Sequence, residues 1–594
     1  MIWKVLRYWI ISQVVILYPA YSQSWISTVI PEQYFTNADK NCIIQIVFTE
    51  DIDPSSITNE SIIVHATKSA RHSSDSISYS PLNRTATLIP NREFIIGEDV
   101  TVTVTESIIN NSGASMPAPF VWSFMIKVES GKGQFCLDST FSPNITDLEE
   151  ITSADFDRDG DLDFALISLL SHKVMIFIND GSGQYSLSDT INIGNPVSLA
   201  QGDWDCDGDM DLALTASPPG GDRRNFWTLM NDGTGNFLSR SDTIISGQNL
   251  FHIEVGDWNG DGHLDLLVVD GGGLAPGGIY ILMNDGNGHF DETENLLTGY
   301  FWMYAATGDW DLDGDLDLVT TASLTLTTGF TKVYYNDGNG NFIDGPFLSN
   351  APYPGFISAS NLDGDFDIDL ITSSGQVDSL YLLLNNGNGG FLLSEGVSGT
   401  GRSVIGDWDA DGDLDLATVK QMIPSPAMIK FADNNGSAIF NVYDSISVPY
   451  QEVRSLTYGD WDLDGDLDLA LINRHEYYTQ GFVTILLNQK SLGIQKLHKE
   501  VLTHFTLYPN YPNPFNSETI IKYDLYNSGN VDLSIYDPLG QLIVTIINEY
   551  QLPGSYQFRW NGVNSKGHKV SSGIYFCRLK NGDFFVAHKL LLLE

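Results

Sequence analysis

Between residues 150 and 490 the chain repeats a single pattern of polar and apolar positions. A nine-residue loop of alternating acidic positions runs into a short apolar segment, as in Leu316-Asp317-Leu318-Val319-Thr320 or Leu467-Asp468-Leu469-Ala470-Leu471. Each such segment is followed within a few residues by Gly-, Pro- or Ser-rich text, so it is too short for a helix and reads as a strand. The loops begin at Asp155, Asp203, Asp257, Asp309, Asn361, Asp407 and Asp460, which are 46 to 54 residues apart. About 20 residues after the end of each loop comes a second repeated element. It is clearest at Asn231 to Phe237, Asn284 to Phe290 and Asn336 to Phe342, and recurs at Asn179 to Tyr185 and Asn385 to Phe391. A decayed copy spans Asn434 to Phe440. Asn-Asp-Gly between alternating apolar runs makes a hairpin turn. Each unit therefore holds four strands, and the period predicts an all-β chain centred on a seven-bladed propeller over residues 129–490.

The flanking text is also β-patterned. Residues 23–128 alternate β-branched and polar positions in Cys42 to Phe48, Thr85 to Pro90, Val100 to Val104 and Val121 to Phe124, which predicts a β-sandwich. Residues 491–505 read as a lysine-bearing linker (Lys496, Lys499), and residues 506–594 as a second sandwich. At the start, Lys4 and Arg7 precede the apolar run Tyr8 to Tyr18, and Ala20-Tyr21-Ser22 offers small residues for cleavage. This predicts a signal peptide over residues 1–22 and a mature chain without a transmembrane segment, because the run is too short to span a bilayer.

The repeated loop carries the candidate chemistry. In Asp309-Trp310-Asp311-Leu312-Asp313-Gly314-Asp315-Leu316-Asp317, positions 1, 3 and 5 turn carboxylates toward one centre. Glycine at position 6 permits a sharp turn, position 7 offers its carbonyl, and position 9 closes the shell. Hard oxygen donors in an irregular shell suit calcium better than magnesium. The candidate metal residues are Asp155, Asp157, Asp159, Asp161 and Asp163 in the first loop, and Asp203, Asp205, Asp207, Asp209 and Asp211 in the second. The fourth contributes Asp309, Asp311, Asp313, Asp315 and Asp317. The sixth has Asp407, Asp409, Asp411, Asp413 and Asp415, and the seventh Asp460, Asp462, Asp464, Asp466 and Asp468. The third loop departs, with Asp257, Asn259, Asp261, His263 and Asp265. The fifth has Asn361, Asp363, Asp365, Asp367 and Asp369, with Phe366 in the place of glycine. Ligand counting predicts up to seven calcium ions, one per blade, with the Asp257 site weaker and the Asn361 site weakest. A polar turn explains one such loop, but not seven in register.

Charge changes the picture less than it first suggests. The net charge is −45, but the seven loops hold 32 of the 75 acidic residues. The remaining surface is still negative and unsuited to nucleic-acid phosphates. With 42% hydrophobic and 11% aromatic residues the chain is not a disordered acidic polymer. Nothing in it resembles a nucleophile elbow, a zinc-protease helix or a phosphate-binding glycine loop, and carboxylates committed to calcium stay ionised and cannot act as general acids.

The repeats resemble FG-GAP/VCBS units, the blades of integrin-α-type propellers. That likeness implies calcium ligands at positions 1, 3, 5 and 9 plus the carbonyl of position 7. Residues 23–128 are similar to bacterial Ig-like domains of surface proteins, through Ile46-Val47-Phe48-Thr49, Asp53 to Ile57 and Trp122-Ser123-Phe124. The C-terminal text Tyr508 to Asn516, Ile535-Tyr536-Asp537, Trp560-Asn561-Gly562 and Ser572-Gly573-Ile574-Tyr575 resembles the sorting domain of type IX secretion cargo. It departs only in ending on Glu594. The resemblance implies contact with the type IX secretion machinery and a protein released from, or attached to, the outer surface of a bacterium.

The function these features imply is calcium-dependent adhesion or binding of an extracellular protein or glycan, without catalysis. The alternative is a calcium-assisted lyase or hydrolase on a propeller scaffold. Strand order places the calcium and Asn-Asp-Gly loops on one face, and a binding surface on the other, with Arg223, Arg224, Trp227, Arg474, His475, Tyr477 and Tyr478 as candidates. The last unit ends at Asn488 without a turn or fourth strand, whereas Ser130-Gly131-Lys132-Gly133-Gln134-Phe135 precedes the first. The strand at Phe135 is therefore expected to complete the last blade.

Overall fold

The computed structural model describes residues 25–488 and 505–593, apart from short stretches, the longest being 217–224, 349–353, 421–425 and 475–479. The expected leader, residues 1–22, and nearly all of the expected linker lie outside the described residues. So do Arg223, Arg224, His475, Tyr477 and Tyr478. Among the described residues the structure is all-β, with no α-helix and a single 3₁₀ turn at Pro54–Ser56. No helix is long and apolar enough to cross a membrane.

The N-terminal sandwich has two four-stranded sheets. One orders Ile26–Ile30, Ile44–Phe48, Thr85–Pro90 and Ser74–Ser80; the other Ala70–His72, Ile62–Ala66, Asp99–Val104 and Phe120–Met125. Alternate residues point inward, so Ile44, Ile46 and Phe48 meet Val100, Val102, Trp122 and Phe124 in one core.

Seven four-stranded antiparallel sheets follow among the described residues. Six are sequential, as in Phe301–Gly308, Asp317–Thr325, Thr328–Asn336 and Phe342–Leu348. The nine-residue loop joins paired ends, with Gly308 opposite Asp317 and Gly459 opposite Asp468. First strands of successive sheets touch, and the last touches the first, so the sheets run round a closed cycle. This is a β-propeller. The last sheet orders Glu452–Gly459, Asp468–Arg474, Gly481–Asn488 and Phe135–Phe141. Phe135 pairs with Asn488, Leu137 with Leu486 and Phe141 with Val483, so the strand at Phe135 completes it as the interrupted motif predicts.

The two repeated motifs meet between sheets. The position 2 aromatic of one sheet packs on the turn phenylalanine of the next: Trp204 on Phe290 at 5.8 Å, Trp310 on Phe391 at 5.9 Å, and Trp408 on Phe135 at 5.7 Å. Glycine precedes these loops because the ring folds back over it; a Cβ at Gly202 would lie 2.6 Å from the Trp204 ring. The turn asparagine spans the same joint. Nδ2 of Asn336 donates to the Trp258 carbonyl of the preceding sheet at 2.7 Å and to Leu316 of its own loop at 3.0 Å. Asn231, Asn284 and Asn434 repeat both bonds. At the closing sheet Asn488 donates to the Trp408 carbonyl at 2.7 Å, so the motif is shared between Asn488 and Phe135, far apart in sequence.

Residues up to 489 form one compact unit that includes the N-terminal sandwich, and residues 490–594 form a second. That second unit packs a three-stranded sheet (Phe505–Leu507, Thr519–Leu525, Gly554–Trp560) on a four-stranded one (Leu542–Gln551, Gly529–Tyr536, Gly573–Asn581, Phe584–Leu592). Its core holds Phe515, Tyr523, Ile535, Trp560 and Leu579.

Candidate metal centres

All seven loops share one backbone. Position 6 has a positive φ in each, from 67° to 100°, and so does position 4, from 57° to 77°. The second reversal was not legible from sequence, where position 4 looked variable; Arg158, Cys206, Leu312, Ala410 and Leu463 all adopt it. The third and fifth loops put glycine there (Gly260, Gly364). Phe366 at position 6 of the fifth loop is held at φ 67°, a conformation that costs an L-residue about 1–2 kcal/mol.

Inside this frame the carboxylates have fixed duties. Oδ2 of the position 1 aspartate accepts the position 6 N–H at 2.9 to 3.2 Å in six loops. The position 9 aspartate ties loop to turn in all seven. Its Oδ2 accepts the position 2 N–H at 2.8 to 3.3 Å. Its Oδ1 accepts the N–H of the turn asparagine, or of Asn488 in the last sheet, at 2.7 to 2.8 Å. Position 7 side chains turn away toward the Asn-Asp-Gly turn; a Cβ on Gly436 would meet Asp413, and one on Gly338 would meet Asp315. The acidic loops and these turns thus share a face.

What remains points inward. Carboxylate oxygens lie within 4.8 Å of one another in five loops: Asp155, Asp157 and Asp163; Asp203, Asp205 and Asp211; Asp309, Asp311 and Asp317; Asp407, Asp409 and Asp415; Asp460, Asp462 and Asp464. Oδ1 of Asp155, Asp203, Asp205 and Asp311 is buried with no hydrogen-bond donor among the described residues. Burial first, then neighbouring carboxylates, push Asp155 up to about 6 and Asp203 and Asp309 up to about 7. Burial likewise takes Asp163 to about 8, and Asp211 and Asp468 to about 9. Two carboxylates at this spacing repel by about 3–4 kcal/mol at an effective dielectric near 20. Orphaned buried oxygens, hard donors and uncompensated charge fit a divalent cation with oxygen ligands.

The other two loops are wired differently. In the third, Nδ2 of Asn259 donates to Asp261 at 3.0 Å and His263 Nδ1 lies 3.2 Å from it. Burial opposes ionisation, but the His263 hydrogen bond holds Asp261 below the usual carboxylate range, and His263 is raised in turn. In the fifth, Asn361 Oδ1 accepts from Gly364 N at 2.8 Å, which spends the position 1 ligand inside the loop.

The N-terminal sandwich covers this face, which the sequence did not reveal. Thr103 Oγ1 donates to Asp257 at 2.6 Å, Gln33 Nε2 to Asp309 at 3.0 Å, and Arg71 N to Asp203 at 3.3 Å. Position 6 carbonyls accept from the same side: Gly262 lies 3.0 Å from His65 Nε2, Gly314 accepts from Val121 N at 2.7 Å, and Gly412 from Thr36 Oγ1 at 3.1 Å. Position 6 glycine therefore has a second duty, since a Cβ on Gly314 would strike Phe120. Lys68 reaches the first and last sheets at once, donating to Tyr458 O at 2.8 Å and Ser153 Oγ at 3.3 Å.

One candidate binding residue is corrected. Arg474 is not a surface residue: it is buried among Asp147, Glu452 at 2.8 Å and Glu149 at 4.0 Å, and locks the first sheet to the last. Trp227 lies within the sheet Pro196–Gly202 to Phe237–Ile244 and packs partly buried on its core.

The family models follow this division. A bacterial Ig-like domain matches residues 24–125, FG-GAP-like repeats match 155–214 and 203–268, and a FlgD Ig-like domain matches 517–582. No curated protein sequence matches the chain. Among solved structures it is similar to BBS1N in complex with ARL6DN (11% identity, 61% of this chain, 98% of that one, TM-score 0.41). It is also similar to the Dos1 propeller (12%, 73% and 95%, TM-score 0.37) and the periplasmic gluconolactonase PpgL of Pseudomonas aeruginosa (12%, 69% and 99%, TM-score 0.37). Likenesses this distant carry no argument about chemistry; the chain's own sheets and loops do. They make it a β-propeller with FG-GAP-like repeats behind an N-terminal bacterial Ig-like domain.

Proposed function

We propose that the seven sheets are the blades of one closed ring, that the loops bind calcium, and that the protein is an extracellular binding module for a glycan or protein ligand. The observation that supports this best is the set of five loops that each bring three carboxylates within 4.8 Å, three of them with a buried oxygen of the trio left unsatisfied. Calcium at these centres holds the loops, and through positions 2 and 9 the joints between blades, so metal and ring stability are linked. The third and fifth loops bind more weakly or not at all. In this reading the C-terminal sandwich is a type IX sorting domain that delivers the protein to the bacterial outer surface after removal of the leader. The test is native mass spectrometry with calcium, paired with a glycan and protein array on the full chain in calcium and in chelator. Five or more tightly held ions and ligand capture that disappears in chelator are expected. Absence of bound calcium, or capture unaffected by its removal, refutes the reading.

A further inference from the structure

The first strands of the ring leave a cavity of about 230 Å³ between three consecutive sheets, Pro354–Ser360, Ser403–Gly406 and Glu452–Gly459. Its width comes from small residues, Ser358, Ala359, Ser360 and Ser403. Asp99 and Met125 of the N-terminal sandwich line the end toward the loops. Arg402 and Phe356 stand at the other end, where the first strands begin.

That end is built of two unlike halves. On one side Phe251, Tyr304 and Phe356 come from successive sheets and form a partly buried aromatic run, of which Phe356 lines the cavity. Their edge-to-face centroid spacings are 5.3 Å and 6.0 Å. On the other side Arg402 donates to Glu150 at 2.6 Å and to Ser455 Oγ at 3.2 Å, with its guanidinium 5.9 Å from the Tyr304 ring centroid. Beside it Arg454 lies 2.8 Å from Glu149 and 3.3 Å from Glu452, and His252 Nε2 lies 3.3 Å from Glu254. Among the described residues, both arginines at the mouth therefore face carboxylates.

We propose that this cavity binds the terminal residue of a neutral glycan, entered from the face opposite the loops; the proposal rests on the reading of the protein as a binding module. A sugar ring offers apolar C–H faces to aromatic side chains and hydroxyls at its edge to a paired Arg and Glu, which is the division found here. Size limits the guest to one ring, since pockets for drug-sized ligands start at about 300 Å³. Asp99 and Met125 at the inner end favour a chain terminus over a threaded polymer as the guest. Among the described residues the cations at the rim sit against carboxylates, which disfavours an acidic sugar.

The experiment uses the full chain with calcium and titrates glucose, galactose, mannose, fucose, N-acetylglucosamine and galacturonic acid by calorimetry and saturation-transfer NMR. At least one neutral sugar should bind, in preference to galacturonic acid. Ser358→Trp, which fills the cavity, should weaken that sugar by more than about tenfold, and Tyr304→Ala by several-fold. Calcium stoichiometry and melting temperature, unchanged in Ser358→Trp, report an intact ring; if that variant does not fold, Phe356→Ala replaces it with the same expectation. No binding of any neutral sugar, preference for the uronic acid, or binding unchanged in the variants overturns the proposal. Each of these can occur while calcium binds and arrayed ligands are captured, so failure here is distinct from failure of the wider reading.

Discussion

The closing strand is the point where the ring can be tested with a single side chain. Phe135 is 6% exposed, stacks on Phe431 at 4.0 Å between centroids and meets Trp408 edge-on at 5.7 Å. Both partners follow it by nearly 300 residues of sequence. Phe135→Ala removes a buried aromatic, which costs about 3–5 kcal/mol. The unfolding entropy of a roughly 350-residue ring at about 2.1 cal/mol/K per residue is near 0.7 kcal/mol/K, so the melting temperature should fall by about 4–7 °C. Calorimetry in saturating calcium should show one transition moved to lower temperature, because the strand joins both ends of the cycle. A double-mutant cycle with Trp408→Leu should give a coupling of about 0.5–1.5 kcal/mol. Hydrogen exchange should accelerate in the sheet Glu452–Gly459 to Gly481–Asn488 and equally in Leu148–Ala154 to Tyr185–Asn192. If only the last sheet loosens, or the melting temperature does not move, the strand is an accessory and closure by exchange is wrong.

Four further outcomes follow from the loops. Phe366→Gly should stabilise the protein by about 1 kcal/mol in urea denaturation, since it relieves a left-handed residue whose side chain is 47% exposed. Gly314→Ala should destabilise by about 1–3 kcal/mol, because it combines φ 100° with a clash on Phe120. In chelator, stability should fall as pH rises from about 4 to 9. The loop carboxylates have folded values raised by burial to between about 6 and 9, so their ionisation favours the unfolded chain; calcium should abolish that slope. Finally, Asp311→Ala should lower the number of ions counted by native mass spectrometry by one, whereas Asn259→Ala should leave it unchanged.

The sequence by itself determined everything that depends on local repetition. A fixed period, strands that alternate, and a nine-residue loop written seven times specify a four-stranded unit and gather the acidic residues that could hold an ion. The missing final turn at Asn488 and the stray Gly-x-Gly-x-Phe at Gly131 even disclosed how the cycle closes, because edge strands must pair somewhere. Some signals were present but unread. The glycine before the loop and the asparagine opening each turn recur in nearly every unit, yet their duty is to the neighbouring sheet, where Trp204 folds over Gly202 and Asn336 reaches Trp258. Tertiary structure alone decided the rest. Position 4 tolerates Arg, Cys, Leu and Ala, so no residue preference betrays its left-handed backbone. Arg474 looks like any loop arginine until Asp147 and Glu452 arrive from distant strands. Nothing periodic announces that Thr103, Gln33 and Val121 sit on the acidic loops, because a domain interface has no repeat. Period encodes which neighbours along the chain share a face; which faces meet is settled only when long-range burial and hydrogen bonding are satisfied together.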